Sequence, residues 1–153
     1  PAFYLPALLA SENDIKSFSM TGQRRDLNRE KFKSENLSAV LNNPESNANK
    51  NLKYLRNAMD VRSELKQFHP CSQMKCLSKG RSDIVVIKRG KGPESVFAIH
   101  NMTENKINYQ LNDNDLPKII DNDFNTHDFL TSTKYNCKNI SLDPFQVIWL
   151  SAL

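Results

Sequence analysis

The sequence predicts an α+β fold in two unlike parts, helical over residues 1–69 and antiparallel β over residues 70–153. Three observations predict it. Apolar residues recur at helical spacing between Asn43 and Phe68, and from Met74 the period shortens to that of strands. The apolar run Ala2–Leu5, meanwhile, has no strand near it with which to pair.

Ala2–Leu5, closed by Pro6, reads as a short buried strand. Residues 6–33 then turn polar, with Asn13, Asp14, Thr21, Gly22 and a charged stretch from Gln23 to Lys33, and read as one long loop. Loops of that length carry function more often than shorter ones do. Ser34 reads as the N-cap of a short helix with Leu37, Val40 and Leu41 on one face.

Asn43, Pro44 and Glu45 supply a cap, a first-turn proline and a first-turn acid for a long helix. Tyr54, Ala58, Val61, Leu65 and Phe68 form one stripe on it; Ala48, Leu52, Leu55 and Met59 form a second. His69 and Pro70 end the helix, with His69 as its C-terminal cap. So wide an apolar face needs a large partner, and residues 1–69 offer only Ala2–Leu5. A neighbour outside these residues is expected, and Phe3, Leu5, Leu52, Leu55 and Met59 should stay unusually exposed without it.

Five β-prone runs follow: Met74–Ser78, Ile84–Arg89, Ser95–Thr103, Lys106–Leu111 and Pro144–Leu150. Polar turns separate them, and Val96–Ile99 is expected to pair with Ile107–Tyr109 as a hairpin. Residues 119–130 read as a polar connection anchored by Phe124, Phe129 and Leu130. Phe145 and Trp149 are expected in the β core, and His100 and His127 in surface or structural roles.

Composition narrows the function classes. Of 153 residues 39% are hydrophobic, which is low for a free-standing globule, where ~45–50% is usual with glycine included. The chain begins at Pro1, with no apolar leader after it, so it is expected to be processed or cut from something longer. No apolar run approaches the ~18 residues of a membrane span, so no membrane partner is expected. Net charge is +3 over residues 1–69 and +1 over residues 70–153. The densest basic cluster, Arg24, Arg25, Arg29, Lys31 and Lys33, is interrupted by Asp26 and Glu30. No nucleic-acid partner is therefore expected, and the plainest reading of the cluster is a solvated loop. Cys71, Cys76 and Cys137 are odd in number and, even with His69, lack paired metal-ligand spacing. They read as thiols of a reducing cytoplasm, with no metal and no cofactor. Three Asn-x-Ser/Thr triplets, at Asn36, Asn101 and Asn139, follow from a chain rich in asparagine.

A strand, a long polar loop, helices and then a small antiparallel domain is the order in which a (β/α)8-barrel enzyme would end. Barrel active sites lie at the C-terminal ends of the strands. Residues 6–33 would then be a catalytic-face loop, and an arginine there could offer paired donors to a hydroxyl, carboxylate or phosphate.

Particular residues carry a resemblance at this point. Pro1-Ala-Phe-Tyr-Leu-Pro-Ala-Leu-Leu-Ala10, then Asn13-Asp14, Thr21-Gly22 and the Arg25-x-x-Asn28-Arg29 motif, resemble the end of a sucrose-phosphorylase-type enzyme of glycoside hydrolase family 13. Ile140–Leu150, preceded by Phe129-Leu-Thr131, resembles the closing strand of that family's C-terminal β-domain. The resemblance covers essentially the whole chain. It implies the last strand–loop–helix unit of a (β/α)8 barrel over residues 1–69 and the C-terminal antiparallel β-domain over residues 70–153.

The implied activity is that of a glycosyltransferase-type phosphorylase, which transfers glucose from sucrose or a related α-glucoside to inorganic phosphate with retention, through a glucosyl-enzyme. The resemblance implies that an arginine after the last barrel strand holds the donor glucose. Arg29 matches that position first and Arg25 second, with Asn28 orienting the loop. The nucleophile, the acid/base and the phosphate loops belong to earlier barrel strands, so no catalytic residue is expected in this chain and alone it should be inactive. Asp14, Asp26 and Glu30 are expected as caps and ion-pair partners. Two other readings stand beside this one: a hydrolytic α-glucosidase of the same family, and a free-standing carbohydrate-binding or interaction module using Trp149, Phe97 and Tyr109.

Overall fold

The computed structural model describes residues 3–27, 32–116 and 124–151, and the chain divides into two compact units between Met59 and Asp60.

The first unit is helical. Pro6 lies in the first turn of α1 (Leu5–Leu8), where its fixed φ suits a helix and its missing N–H costs no bond. The strand expected at Ala2–Leu5 is therefore absent from its described part: Phe3 and Tyr4 are irregular and Leu5 opens a helix. A four-residue extended run needs a neighbouring strand to take up its backbone bonds, and none lies beside it among the described residues. The expected loop likewise holds helices, α2 (Ile15–Thr21) and α3 (Arg24–Leu27).

Next comes α4 (Ser34–Asn42), with Lys33 rather than Ser34 at its N-cap. The long helix α5 (Asn47–Glu64) starts later and ends earlier than its apolar spacing suggests. The Asn43 side chain accepts from the Glu45 N–H at 3.0 Å, which holds Pro44 in a turn. Ser46 Oγ then caps the helix by accepting from the Asn49 N–H at 3.1 Å. Asn49 Nδ2 donates to the Leu41 carbonyl at 2.6 Å, and Asn51 Nδ2 donates to Leu8 at 2.8 Å, so amide side chains rather than apolar contacts tie these helices.

Leu9 and Ala48 are the only described residues up to Met59 that are buried. Phe3 is 45% exposed and Leu5 49%, while Leu52, Leu55 and Met59 are half-buried.

The second unit begins within α5 and continues through a one-turn 3-10 segment at Lys66–Phe68. Its main sheet contains β1 (Met74–Cys76), β2 (Ile84–Arg89), β3 (Val96–Asn101) and β8 (Val147–Ser151), antiparallel in the order β1-β2-β3-β8. Two further ladders pair β4 (Ile107–Tyr109) with β7 (Ile140–Leu142), and β5 (Asn125–His127) with β6 (Lys134–Asn136).

The hairpin expected between Val96–Ile99 and Ile107–Tyr109 does not form. Instead β3 pairs with β2 and β8, so its two ladder edges are both filled. Alternation explains the core: Ile84 and Val86 of β2, Phe97 and Ile99 of β3, and Ile148 and Leu150 of β8 turn to one face and are fully buried. Leu111, Cys137, Ile140 and Leu142 close over them.

Two buried polar residues hold the loops. Asn101, 2% exposed, donates to the carbonyls of Asn105 (2.7 Å) and Asp143 (2.8 Å) and accepts from the Thr103 N–H (2.9 Å). Asp128 is fully buried; its carboxylate accepts from the N–H groups of Trp149 (2.7 Å) and Leu130 (3.2 Å) and from Thr131 Oγ1 (2.7 Å).

Candidate functional site

The segment expected to reach a sugar is built from two short helices closed into a loop. Asp14 starts α2: its Oδ1 accepts from the Ser17 N–H at 2.9 Å and its Oδ2 from the Ser17 hydroxyl at 2.5 Å. Gly22 ends the helix at φ 65°, a left-handed position suited to glycine, with its N–H on the Phe18 carbonyl at 2.8 Å. Thr21 Oγ1 donates to Asp26 at 2.7 Å, and the Asp14 N–H donates to the Leu27 carbonyl at 2.8 Å. That last bond closes residues 14–27 into one loop.

Arg25 is exposed on α3. Asn28 and Arg29, the other residues expected to bind donor sugar, lie outside the described residues, as does Glu30. Asp14 serves as a helix cap and Asp26 as a hydroxyl acceptor, so neither carboxylate stands free as half of a catalytic pair. An open groove of about 330 Å³ runs beside α4 and the start of α5, lined by Leu9, Phe32, Lys33, Val40, Ser46 and Ala48. Its lining mixes apolar side chains with the polar groups of Lys33, Asn36, Ser46 and Asn47.

Cys71 and Cys76 are exposed and Cys137 is buried, and among the described residues no three of His, Cys, Asp or Glu converge on a metal position. Burial pushes the Cys137 thiol up to about 11. His69 Nδ1 accepts from the Cys71 N–H at 3.2 Å, a local cap at the end of the 3-10 turn. His127 meets the Phe129 ring edge-on at 4.9 Å. His100 is half-buried in β3, and desolvation lowers its pKa.

Two aromatic expectations need correction. Phe145 is 65% exposed, in the turn before β8 at φ 55° and not within a strand. Trp149 is half-buried on the outer face of the sheet, packed on Phe68 with ring centres 4.6 Å apart. Phe97 lies wholly inside the core, so it cannot join Trp149 and Tyr109 in an exposed binding face. Sequence reading missed Asp128 and Asn101; the Asp128-x-x-Thr131 spacing was the one local signal for the former.

No family model matches the chain. It is 33% identical over 104 residues to the glucosylglycerate phosphorylase of Allomeiothermus silvanus, covering 68% of this chain and 18% of that protein. The chain thus spans less than a fifth of the length of that relative. Solved structures with similar folds include AmyP in complex with maltose, at TM-score 0.57 and 16% identity over 71% of this chain and 22% of that one. A MutB mutant in complex with the substrate sucrose gives TM-score 0.57 at 13% identity, covering 74% of this chain and 19% of MutB. The trehalose-6-phosphate hydrolase TreA of Bacillus licheniformis gives 0.50 at 19% identity, covering 74% of this chain and 20% of TreA. No described helix is long and apolar enough to cross a membrane. The chain belongs to glycoside hydrolase family 13, and a C-terminal fragment of such an enzyme fits it.

Proposed function

We propose that this chain is part of a retaining glucoside phosphorylase, which passes glucose from an α-glucoside to inorganic phosphate through a glucosyl-enzyme. The observation that carries the reading is the 33% identity over 104 residues to a glucosylglycerate phosphorylase. In such an enzyme two carboxylates act in turn, one as nucleophile and one as acid and then base. Both would come from barrel strands outside this chain.

Residues 1–69 would be the end of that barrel and residues 70–153 its C-terminal β-domain. The first unit buries only Leu9 and Ala48 among its described residues, which supports a larger apolar partner for α1, α4 and α5. Arg29, with Arg25 as the second choice and Asn28 orienting the loop, would hold the donor glucose through paired N–H donors. The compartment would be the cytoplasm, where the two exposed thiols stay reduced.

Sucrose and glucosylglycerate are the donors to try first. The test joins the chain to the rest of its enzyme and supplies each α-glucoside with and without phosphate. Phosphate-dependent release of glucose 1-phosphate supports the reading. Release of free glucose at the same rate without phosphate replaces it with the hydrolytic one, which the likeness to the trehalose-6-phosphate hydrolase fold keeps in view. Arg29→Ala should then raise KM for the donor by roughly tenfold or more, as loss of a charge-assisted pair predicts.

A further inference from the structure

Lys75 of β1 and Lys88 of β2 stand directly opposite each other in the ladder. Like charges so placed repel, yet here they share the face that also carries Phe97, which pairs with Lys88 across the next ladder. The Lys88 ammonium lies 5.3 Å from the centre of the Phe97 ring, so its stem covers the aromatic where the core ends. Asp115 answers both lysines. Its Oδ1 accepts from Lys75 Nζ at 2.7 Å, and its backbone carbonyl accepts from Lys88 Nζ at 2.5 Å.

A third ammonium, that of Lys91, borders the same space from the β2–β3 turn, where Gly90 and Gly92 take φ of 82° and 61°. With Gln73 and Asn114 these residues surround a cavity of about 190 Å³. Its described lining holds three ammonium groups and one carboxylate, and that carboxylate is only 12% exposed. Neutralising the cross-strand pair accounts for one positive charge and leaves two.

We propose that this cavity binds a small tetrahedral oxyanion of the phosphate or sulfate class, a dianion matching the two remaining charges. Each ammonium carries three donors, and Lys75 and Lys88 each give one to Asp115, so both keep donors for a ligand. The side-chain amides of Gln73 and Asn114 add neutral donors at the rim. Desolvation lowers the Lys88 pKa, Asp115 opposes it and Lys75 adds a smaller lowering; a bound dianion would offset the repulsion from Lys75.

The test titrates the isotope-labelled 153-residue chain with inorganic phosphate and with sulfate, sodium chloride holding the ionic strength constant, and follows backbone amides. Saturable shifts confined to Lys75, Lys88, Lys91 and their neighbours are expected. Lys91→Ala and Lys75→Gln should each weaken binding by roughly fivefold or more, as loss of a charge-assisted donor predicts. Lys91→Ala leaves both Asp115 contacts intact, so it decides the matter even where Lys75→Gln fails to fold. A parallel titration with glucose 6-phosphate separates sources: tighter binding than inorganic phosphate assigns the site to esterified phosphate, and equal or weaker binding assigns it to the free ion. Shifts that never saturate, or a saturation that survives Lys91→Ala unchanged, would overturn the proposal.

Discussion

The buried carboxylate of Asp128 accepts a 2.7 Å hydrogen bond from the backbone N–H of Trp149. Trp149 lies on β8, whose outer edge would otherwise present unpaired amides. The Phe129 N–H returns a bond to the Trp149 carbonyl at 2.9 Å, and Thr126 Oγ1 donates to Ser151 at 2.5 Å. One short segment thus covers the edge of the main sheet. Asp128→Ala leaves three donors without their acceptor and should cost about 3 kcal/mol or more. Asp128→Asn keeps one acceptor oxygen and should cost roughly half as much. Urea unfolding of both variants checks the order, and equal stability of the alanine variant and the parent would remove the edge-covering role.

Cys137 should be chemically silent while its companions react. Its thiol is fully buried and pushed up to about 11, whereas Cys71 and Cys76 are exposed. At pH 8 an alkylating reagent should label two cysteines of the native chain quickly and the third only on unfolding. The same shift makes stability fall as pH rises from 9.0, where an unfolded thiol ionises, toward about 11, where the folded one does. The slope from this group is at most about 1.4 kcal/mol per pH unit. Cys137→Ala should remove that part of the alkaline slope.

His100 works in the opposite direction. It sits between Val85 and Val147 in the main sheet, and burial holds its pKa below the usual 6.5. Its contribution is whole above pH 6.5 and is lost as pH falls toward the folded value, because the unfolded chain takes up the proton first. His100→Gln should flatten the acid limb of stability below pH 6.5, read as Tm against pH. An unchanged limb would assign the acid sensitivity elsewhere.

Phe145 holds φ 55° while 65% exposed, a left-handed conformation that a bulky residue adopts at a cost of roughly 1–2 kcal/mol. Phe145→Gly should therefore be neutral or stabilise by up to about 1 kcal/mol once glycine's extra unfolded-state freedom is counted. A loss of stability in thermal melts would show that the exposed ring makes a contact worth more than the strain.

The legible parts of the fold were those decided by local period. Ile84–Arg89, four β-branched residues and two basic ones bounded by polar turns, is a strand with those bounds. The strands at Asn125–His127 and Lys134–Asn136 carry Asn, Thr, His, Lys and Tyr, too polar to be read as strands without their partner. Pairing failed for a different reason: β3 meets β8 about fifty residues later, and no local signal distinguishes that from the nearer Ile107–Tyr109. Of the residues expected to bind sugar, Arg25 is exposed on α3, while Asn28 and Arg29 lie outside the described residues. Family membership was legible because a handful of specific residues carry it, where composition could not.

The central claim is that these residues are one part of a larger family 13 enzyme, with a first unit that needs its neighbour and a second that holds its own core. Hydrogen exchange compares the 153-residue chain alone with the same chain joined to the rest of its enzyme. The account predicts that amides of α1, α4 and the first half of α5 exchange at least roughly tenfold more slowly in the joined protein. Amides of Val86, Phe97 and Ile148 should be protected in both. Equal protection of α1 and α4 in the two forms would contradict the account.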